Sequence, residues 1–255
     1  MNMEGILQEY NNGSKIIDLA RKYHKRQSFV SSLLKSKGVK IRTSRHVDWL
    51  NYELDHEFFS KINTPQKAYL LGIMWSDGCV ASISNTISLI CNDLDLINFF
   101  RKQIRCTKKI YRNPNHSKAK TFSFCSPRMK EDLLRLGCVP RKSLILKYPV
   151  LPKALEKYFL LGLFDGDGCV TQSRQQLQAY FLGTIDVCKN IQRFLTKNKI
   201  QTNRLQKNGK IWRLRITGDE NLKSLYSMFY TSPPFFLQRK KKAFENYGNL
   251  HLSTS

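Results

Sequence analysis

Residues 69–80 read YLLGIMWSDGCV and residues 159–170 read FLLGLFDGDGCV. The two stretches share Leu-Leu-Gly, an apolar pair and a closing Asp-Gly-Cys-Val, and they set Asp77 and Asp167 90 positions apart. Repetition at this distance marks a duplicated structural unit. A third Gly-Cys-Val, at 137–139, lacks the apolar run and the acid, and is a coincidence of composition.

The likeness continues downstream. After the first motif come an alternating stretch suited to a half-buried strand or hairpin, ASISNTISLIC (81–91), and a helical stretch, LDLINFFRKQI (94–104). A second hairpin-like region follows, with turn formers Asn113, Pro114 and Asn115, and then a helix stopped by Gly137. The second copy repeats the order, with an Asn208-Gly209 hairpin turn. Each copy reads αββαββα, so the expected class is α+β. The joint falls near Tyr148–Pro152, giving halves of 48–150 and 151–255.

Residues 1–47 belong to neither copy. They hold ten Lys or Arg against three acids, and their apolar pattern suggests three short helices: Ile6, Leu7 and Tyr10, then Ile16, Ile17, Ala20 and Tyr23, then Phe29, Val30, Leu33 and Leu34. Ser14 is the expected N-cap of the second. The small Ala20 at the expected crossing makes the set resemble a helix-turn-helix. Its third helix would present Arg26, Gln27 and Ser31 to base edges and phosphates, or the module is a basic cap that packs on the body.

The whole chain of 255 residues carries 43 Lys plus Arg against 19 Asp plus Glu, a formal +24. Such a surplus repels itself in the compact state and is most readily tolerated against a polyanion, nucleic acid first. No apolar run approaches the roughly 18–20 residues that span a bilayer, so no membrane partner is expected. The beginning of the chain, with its early Glu4, has no secretory pattern, and the seven cysteines form no C-x-x-C pair. An intracellular protein with reduced thiols in its core is expected.

As helices, the motifs have small residues four apart, Gly72 with Ser76 and Gly162 with Gly166, on faces where two backbones can approach closely. Asp77 and Asp167 then fall at helix C-termini, the negative end of the macrodipole. Gly78 and Gly168 would end the helices in the left-handed conformation. If the helices pack together the carboxylates meet, and like charges at close range take up a proton or recruit a cation. A hard divalent ion completed by DNA phosphate resolves the conflict.

The motif pair resembles that of the single-chain LAGLIDADG homing endonucleases, over roughly residues 65–247, and RLGCVPRKSLILKYP (135–149) is similar to the family's inter-motif region. Motif 1 departs from the family pattern with Trp75, where motif 2 has Asp165. The resemblance implies a monomer with a pseudo-two-fold αββαββα fold, whose antiparallel saddle sheets lie in the DNA major groove. It implies Asp77 and Asp167 as catalytic acids and metal ligands, aided by the carbonyls of Ser76 and Gly166, with Mg²⁺ as the ion. The reaction implied is hydrolysis of one phosphodiester per strand across the minor groove of a long, asymmetric double-stranded target, in service of the coding element's own mobility. Lys120 and Lys210, at matching places in the second hairpins, are candidates for an assisting basic residue or for phosphate contacts.

DNA contacts are expected from Ser82, Ser84, Asn85 and Arg112 in the first copy. In the second they are expected from Gln172, Arg174, Gln176, Arg204, Gln206 and Lys207, with Arg and Gln suited to guanine and adenine. The basic run Arg239–Lys242 reads as a phosphate-facing or solvated patch. Two other functions suit the same scaffold: an intron RNA-splicing maturase and a non-cleaving DNA-binding regulator. The family's setting implies bacterial or phage-host cytoplasm, or an organelle-encoded protein.

Overall fold

A computed structural model describes residues 3–12, 14–41, 52–112, 119–140, 145–173 and 176–247. The chain divides into two units, Met1–Tyr52 and Glu53–Ser255.

Among the described residues the first unit holds three helices, α1 (Met3–Asn11), α2 (Ile16–Lys22) and α3 (Gln27–Ser36). They close on a core of Ile6, Tyr10, Leu19, Ala20, Val30 and Leu34. Two apolar positions of the sequence pattern fall outside it: Ile17 and Phe29 are 40% and 39% exposed, because the buried stripes run through Leu19–Ala20 and Val30–Leu34. Lys15, not Ser14, is the N-cap of α2 and makes no side-chain cap. In the α2–α3 turn His24 adopts a left-handed φ of 49°, a conformation glycine reaches at no steric cost. Arg26 and Gln27 are exposed on this module, while Ser31 is half-buried.

The second unit is a duplicated α+β structure. Its first copy comprises α4 (Pro65–Ser76), β1 (Gly78–Val80), β2 (Thr86–Cys91), α5 (Leu94–Gln103), β3 (Tyr111–Arg112), β4 (Lys120–Cys125) and α6 (Pro127–Arg135). The second comprises α7 (Lys153–Asp167), β5 (Cys169–Ser173), β6 (Gln176–Gly183), α8 (Ile185–Lys197), β7 (Gln206–Asn208), β8 (Ile211–Thr217) and α9 (Asp219–Tyr230). A last helix, α10 (Gln238–Tyr247), has no described counterpart in the first copy.

Each copy forms a four-stranded antiparallel sheet of the same order, β1-β2-β4-β3 and β5-β6-β8-β7. Local chemistry sets the element ends. Thr64 caps α4 ahead of Pro65, Ser126 caps α6 ahead of Pro127, and Thr184 caps α8. Gly209, at φ 61°, completes the β7–β8 turn, and Gly137, at φ 90°, follows α6. The expected turn formers 113–115 lie outside the described residues.

One sheet face in each half packs on helices through aromatic cores: Phe100, Phe122 and Phe124 in the first, Phe164, Phe181 and Phe229 in the second. The halves meet along α4 and α7, the most extensively packed pair of elements in the unit. The contact is backbone on backbone. A Cβ at Gly72 would strike Phe159 O and stand 2.7 Å from Leu163 N, and one at Gly162 would strike Tyr69 O and stand 3.1 Å from Ile73 N. Leu70, Leu71, Ile73, Met74, Leu160, Leu161, Leu163 and Phe164 are all buried beside this seam.

A methyl group at this seam has nowhere to go. Gly162→Ala should destabilise the second unit by about 3 kcal/mol, the upper end of overpacking costs, read as a lower urea midpoint. Gly183→Ala, whose Cβ would first meet a Val187 side-chain atom at 3.2 Å, should cost far less.

Candidate active site

The two motif helices deliver their acids to one place. Asp77 is the C-cap of α4 and Asp167 the last residue of α7. Asp77 is half-buried and Asp167 exposed. A Cβ at Gly166 would collide with Ser76 Oγ and stand 3.3 Å from Asp77 Oδ2, so the missing side chain at 166 is what lets the Asp77 carboxylate lie over the end of the other helix. Ser76 turns its hydroxyl back onto its own helix, donating to Ile73 O and Gly72 O at 3.1 and 3.2 Å. A cavity of about 200 Å³ opens beside Ser76 and Asp167, walled by Trp75, Leu163, Leu182 and Ile211.

The glycines after the acids are needed for space rather than for handedness. Gly168 has φ −72°, and Gly78 is not among the glycines with positive φ. A Cβ at Gly78 would stand 2.7 Å from Met74 Cα, and one at Gly168 2.6 Å from Phe164 O. The expected left-handed caps are therefore replaced by chains that pass directly from helix end into strand.

Position 75 and its counterpart 165 do similar work with different chemistry. Trp75 donates its indole N–H to Leu136 O at 3.0 Å and lays its ring where a Gly137 side chain would be, holding the segment after α6. Asp165 accepts from Leu237 N at 2.9 Å, holding the segment before α10, and from the Tyr69 hydroxyl of the other half at 2.8 Å. Asp165 is fully buried, and burial pushes its carboxyl up to about 7 against those two donors.

The basic run Arg239–Lys242 is divided, with Arg239 and Lys242 exposed, Lys241 half-buried and Lys240 buried. Arg239 pairs with Asp93 of the first half at 3.1 Å, and Lys241 lies 3.7 Å from Glu245. Lys240 is only 8% exposed; its ammonium donates to Gly168 O, next to Asp167, and lies 5.6 Å from the Phe164 ring centre. Burial pushes its pKa below the usual lysine value, opposed by the charges of Asp165 and Asp77. Leu237, Lys240 and Phe244 are all buried, so this lysine occupies an apolar-stripe position of α10, a signal present in the sequence but hidden by the surrounding charges.

Lys120 and Lys210 do not occupy matching places. Strand register aligns Ser88–Ser123 with Tyr180–Arg215, which makes Trp212, not Lys210, the counterpart of Lys120. Lys210 lies exposed in the β7–β8 turn. Lys120 pairs with Cys91 and shares the core-side face with it, at the strand end.

The open face of each sheet, opposite the helices, follows from the same register. In the first half it carries Cys79, Thr86, Ser88, Ile90, Thr121 and Ser123, joined by the exposed Tyr111 opposite Thr121. Ser82, Ser84 and Asn85 precede β2, in the β1–β2 connection, where Lys130 donates to Ser84 O at 2.8 Å. Arg112 pairs with Lys120 at the end of β3. In the second half the open face carries Thr171, Gln176, Gln178, Tyr180, Arg213, Arg215 and Thr217, joined by Gln206 opposite Arg213. Gln172 pairs with the buried Leu177 and Lys207 with Trp212, so both stand on the core-side face at its margin. Arg204 lies before β7, and Arg174 lies outside the described residues. Tyr180, Arg213 and Arg215 were legible in the alternation of their strands, as residues interleaved with Ala179, Phe181, Leu214 and Ile216.

The cysteines divide between the two environments. Cys106, Cys125, Cys138 and Cys188 are buried, whereas Cys79 is exposed and Cys169 half-buried just after the motifs. No described helix is long and apolar enough to cross a membrane. Among the described residues no group of three or more His, Cys, Asp or Glu side chains gathers to hold a metal. The motif ends offer two carboxylates and backbone carbonyls, all hard oxygen donors. Such a set fits Mg²⁺, which keeps several waters and binds through one or two carboxylates plus substrate phosphate oxygens.

Comparison with known proteins agrees with this architecture. Residues 154–229 match the family model of the LAGLIDADG-like domain. Among solved structures, the LAGLIDADG meganuclease I-AabMI bound to uncleaved DNA superposes with a TM-score of 0.51 at 13% identity, covering 72% of this chain and 89% of that one. The K262A mutant of I-SmaMI gives 0.51 at 10% identity, with the same coverage. No curated protein matches the sequence.

Replacing Asp165 separates its two roles. Asp165→Ala leaves the Tyr69 hydroxyl and the Leu237 N–H buried without an acceptor and should cost about 3 kcal/mol in denaturant unfolding. Asp165→Asn keeps one accepting oxygen and should recover most of that loss.

Proposed function

We propose that this chain, whose second half carries a LAGLIDADG-like domain, is a site-specific DNA endonuclease that makes a double-strand break in a long asymmetric target and thereby promotes mobility of its own coding element. The observation that carries this reading is the meeting of Asp77 and Gly166 across the α4–α7 seam, which sets two acids at the end of a backbone-packed helix pair. Two carboxylates, one half-buried and one exposed, placed at helix ends against the macrodipole call for a chemical use. They have an obvious one in holding divalent metal against phosphate.

In this reading Asp77 and Asp167 are the catalytic acids and hold Mg²⁺, with the carbonyls of Ser76 and Gly166 beside them. When bound, the ion supplies Lewis-acid activation of water and stabilises the departing 3′ oxygen. The chain's own residues do the rest. The open sheet faces bind and orient the duplex, and the rigid seam fixes the spacing of the two acids. Lys240, anchored on Gly168 O, supplies positive charge beside the carboxylates and takes the place expected for Lys120 or Lys210. The N-terminal three-helix unit extends the contact as a helix-turn-helix, with Arg26 and Gln27 exposed at the start of α3. The surplus of +24 supports a polyanionic partner.

Plasmid carrying the DNA that flanks the reading frame should be cut in Mg²⁺ and left intact in EDTA. Asp77→Asn and Asp167→Asn should each retain binding and lose at least about 100-fold in double-strand cleavage, the scale of removing one electrostatic stabiliser. Full cutting by both variants would refute the assignment. Deleting residues 1–52 should weaken binding and flatten its dependence on salt; an unchanged slope would make the first unit a cap that does not touch phosphate.

A further inference from the structure

The open faces of the two sheets are built from different chemistry. Among the described residues, the rows of the first half carry hydroxyls, the exposed Tyr111 opposite Thr121, an exposed Ile90 and Cys79, and no charged side chain. The second half sets two arginines side by side. Leu182 pairs with Arg213, which pairs in turn with Gln206, and the next row on the same face runs Cys169–Tyr180–Arg215. Arg213 and Arg215 stand two apart on one strand, so both point from one face.

Neither arginine is neutralised. Among the described residues neither has a carboxylate within ion-pair distance, and the Nε of each is buried without a hydrogen-bond partner. Arg213 is held with its guanidinium 4.9 Å from the Tyr180 ring centre. Two like charges kept adjacent, half-buried and unpaired are costly in the free protein. The ring contact restrains the guanidinium, which lowers the entropy lost on binding. Lys130, by contrast, is occupied with loop carbonyls.

Resting on the endonuclease reading, we propose that Arg213 and Arg215 are guanine-reading residues, and that the second half of the protein carries most of the base specificity. A guanidinium fork presents paired donors to the two acceptors that guanine shows in the major groove. Arg213 lies nearer the motif end, because its partner Leu182 shares the cavity wall with Asp167. Arg213 therefore reads a base closer to the centre of the target, and Arg215 one farther out. The first half offers hydroxyls, a thiol, Ile90 and the Tyr111 ring but no guanidinium fork, and so discriminates weakly. The target is lopsided in information: guanines fixed on the side of the second half, tolerant positions on the other.

The test is selection of duplexes from a randomised pool by the full chain in EDTA, followed by affinity measurements on the selected site. The wild-type protein should enrich one strongly constrained half-site containing guanine. Arg213→Ala and Arg215→Ala should each relax one position, with a loss of about 5- to 150-fold on the selected site and little on unrelated DNA. Arg→Lys should not restore the preference, since a lysine keeps the charge without the fork. Uniform weakening on all sequences, restored by lysine, would make both arginines phosphate contacts and overturn the inference while leaving the endonuclease reading intact. Equal constraint in both half-sites would also overturn it. If no duplex is bound by the wild-type chain, the endonuclease reading falls, and this inference with it.

Discussion

The close approach of two helix backbones at Gly72 and Gly162 is the constraint on which the second unit depends. Side chains of any size at these positions would hold the helices apart, because the first atoms met are main-chain oxygens and nitrogens that cannot move aside. Their contact brings the C-terminal ends of α4 and α7 together, and with them Asp77 and Asp167. Gly166 extends the same logic by one turn. It gives up its side chain so that Ser76 and the Asp77 carboxylate fit over the second helix.

Around that seam the two halves share a plan without sharing chemistry. Trp75 and Asp165 occupy the same motif position and each fixes the chain that follows or precedes a peripheral helix, one with a donor and a large ring, the other with a buried acceptor. Asp165 also reaches Tyr69, so the second motif hydrogen-bonds to the first directly. Phe235 stacks on Phe99 at 4.5 Å and Arg239 pairs with Asp93, which draws the C-terminal segment across the first half. Through these contacts α10 brings Lys240 against the strand that leaves Asp167. A buried positive charge beside the end of the second motif thus comes from the far end of the chain.

Much of this was legible before any coordinates. The duplicated motif predicted the αββαββα order, the two antiparallel sheets, and acids at paired helix ends. The Asn208-Gly209 turn and the Gly137 stop follow from residues that reach positive φ cheaply. Facing was harder to read. Lys120 and Lys210 seemed equivalent because both sit in second hairpins, but equivalence there is decided by strand register. A shift by one residue reverses the face on which a side chain stands. The observed register puts Gln172 and Lys207 on the core side and Arg213 and Arg215 on the open one.

What the sequence determined by itself was the repeat, the small-residue stripe and the excess of positive charge. These are properties of spacing and composition, and they hold wherever the chain folds. Only the tertiary structure decided which basic residues are free to meet a ligand and which are already engaged. Lys240 is buried on a carbonyl and Arg239 pairs with Asp93, whereas Arg213 and Arg215, in the middle of a strand, have no ion pair among the described residues. The reason is physical: whether a charge is solvated, paired or stranded depends on what packs against it from distant parts of the chain, and local sequence carries no record of that.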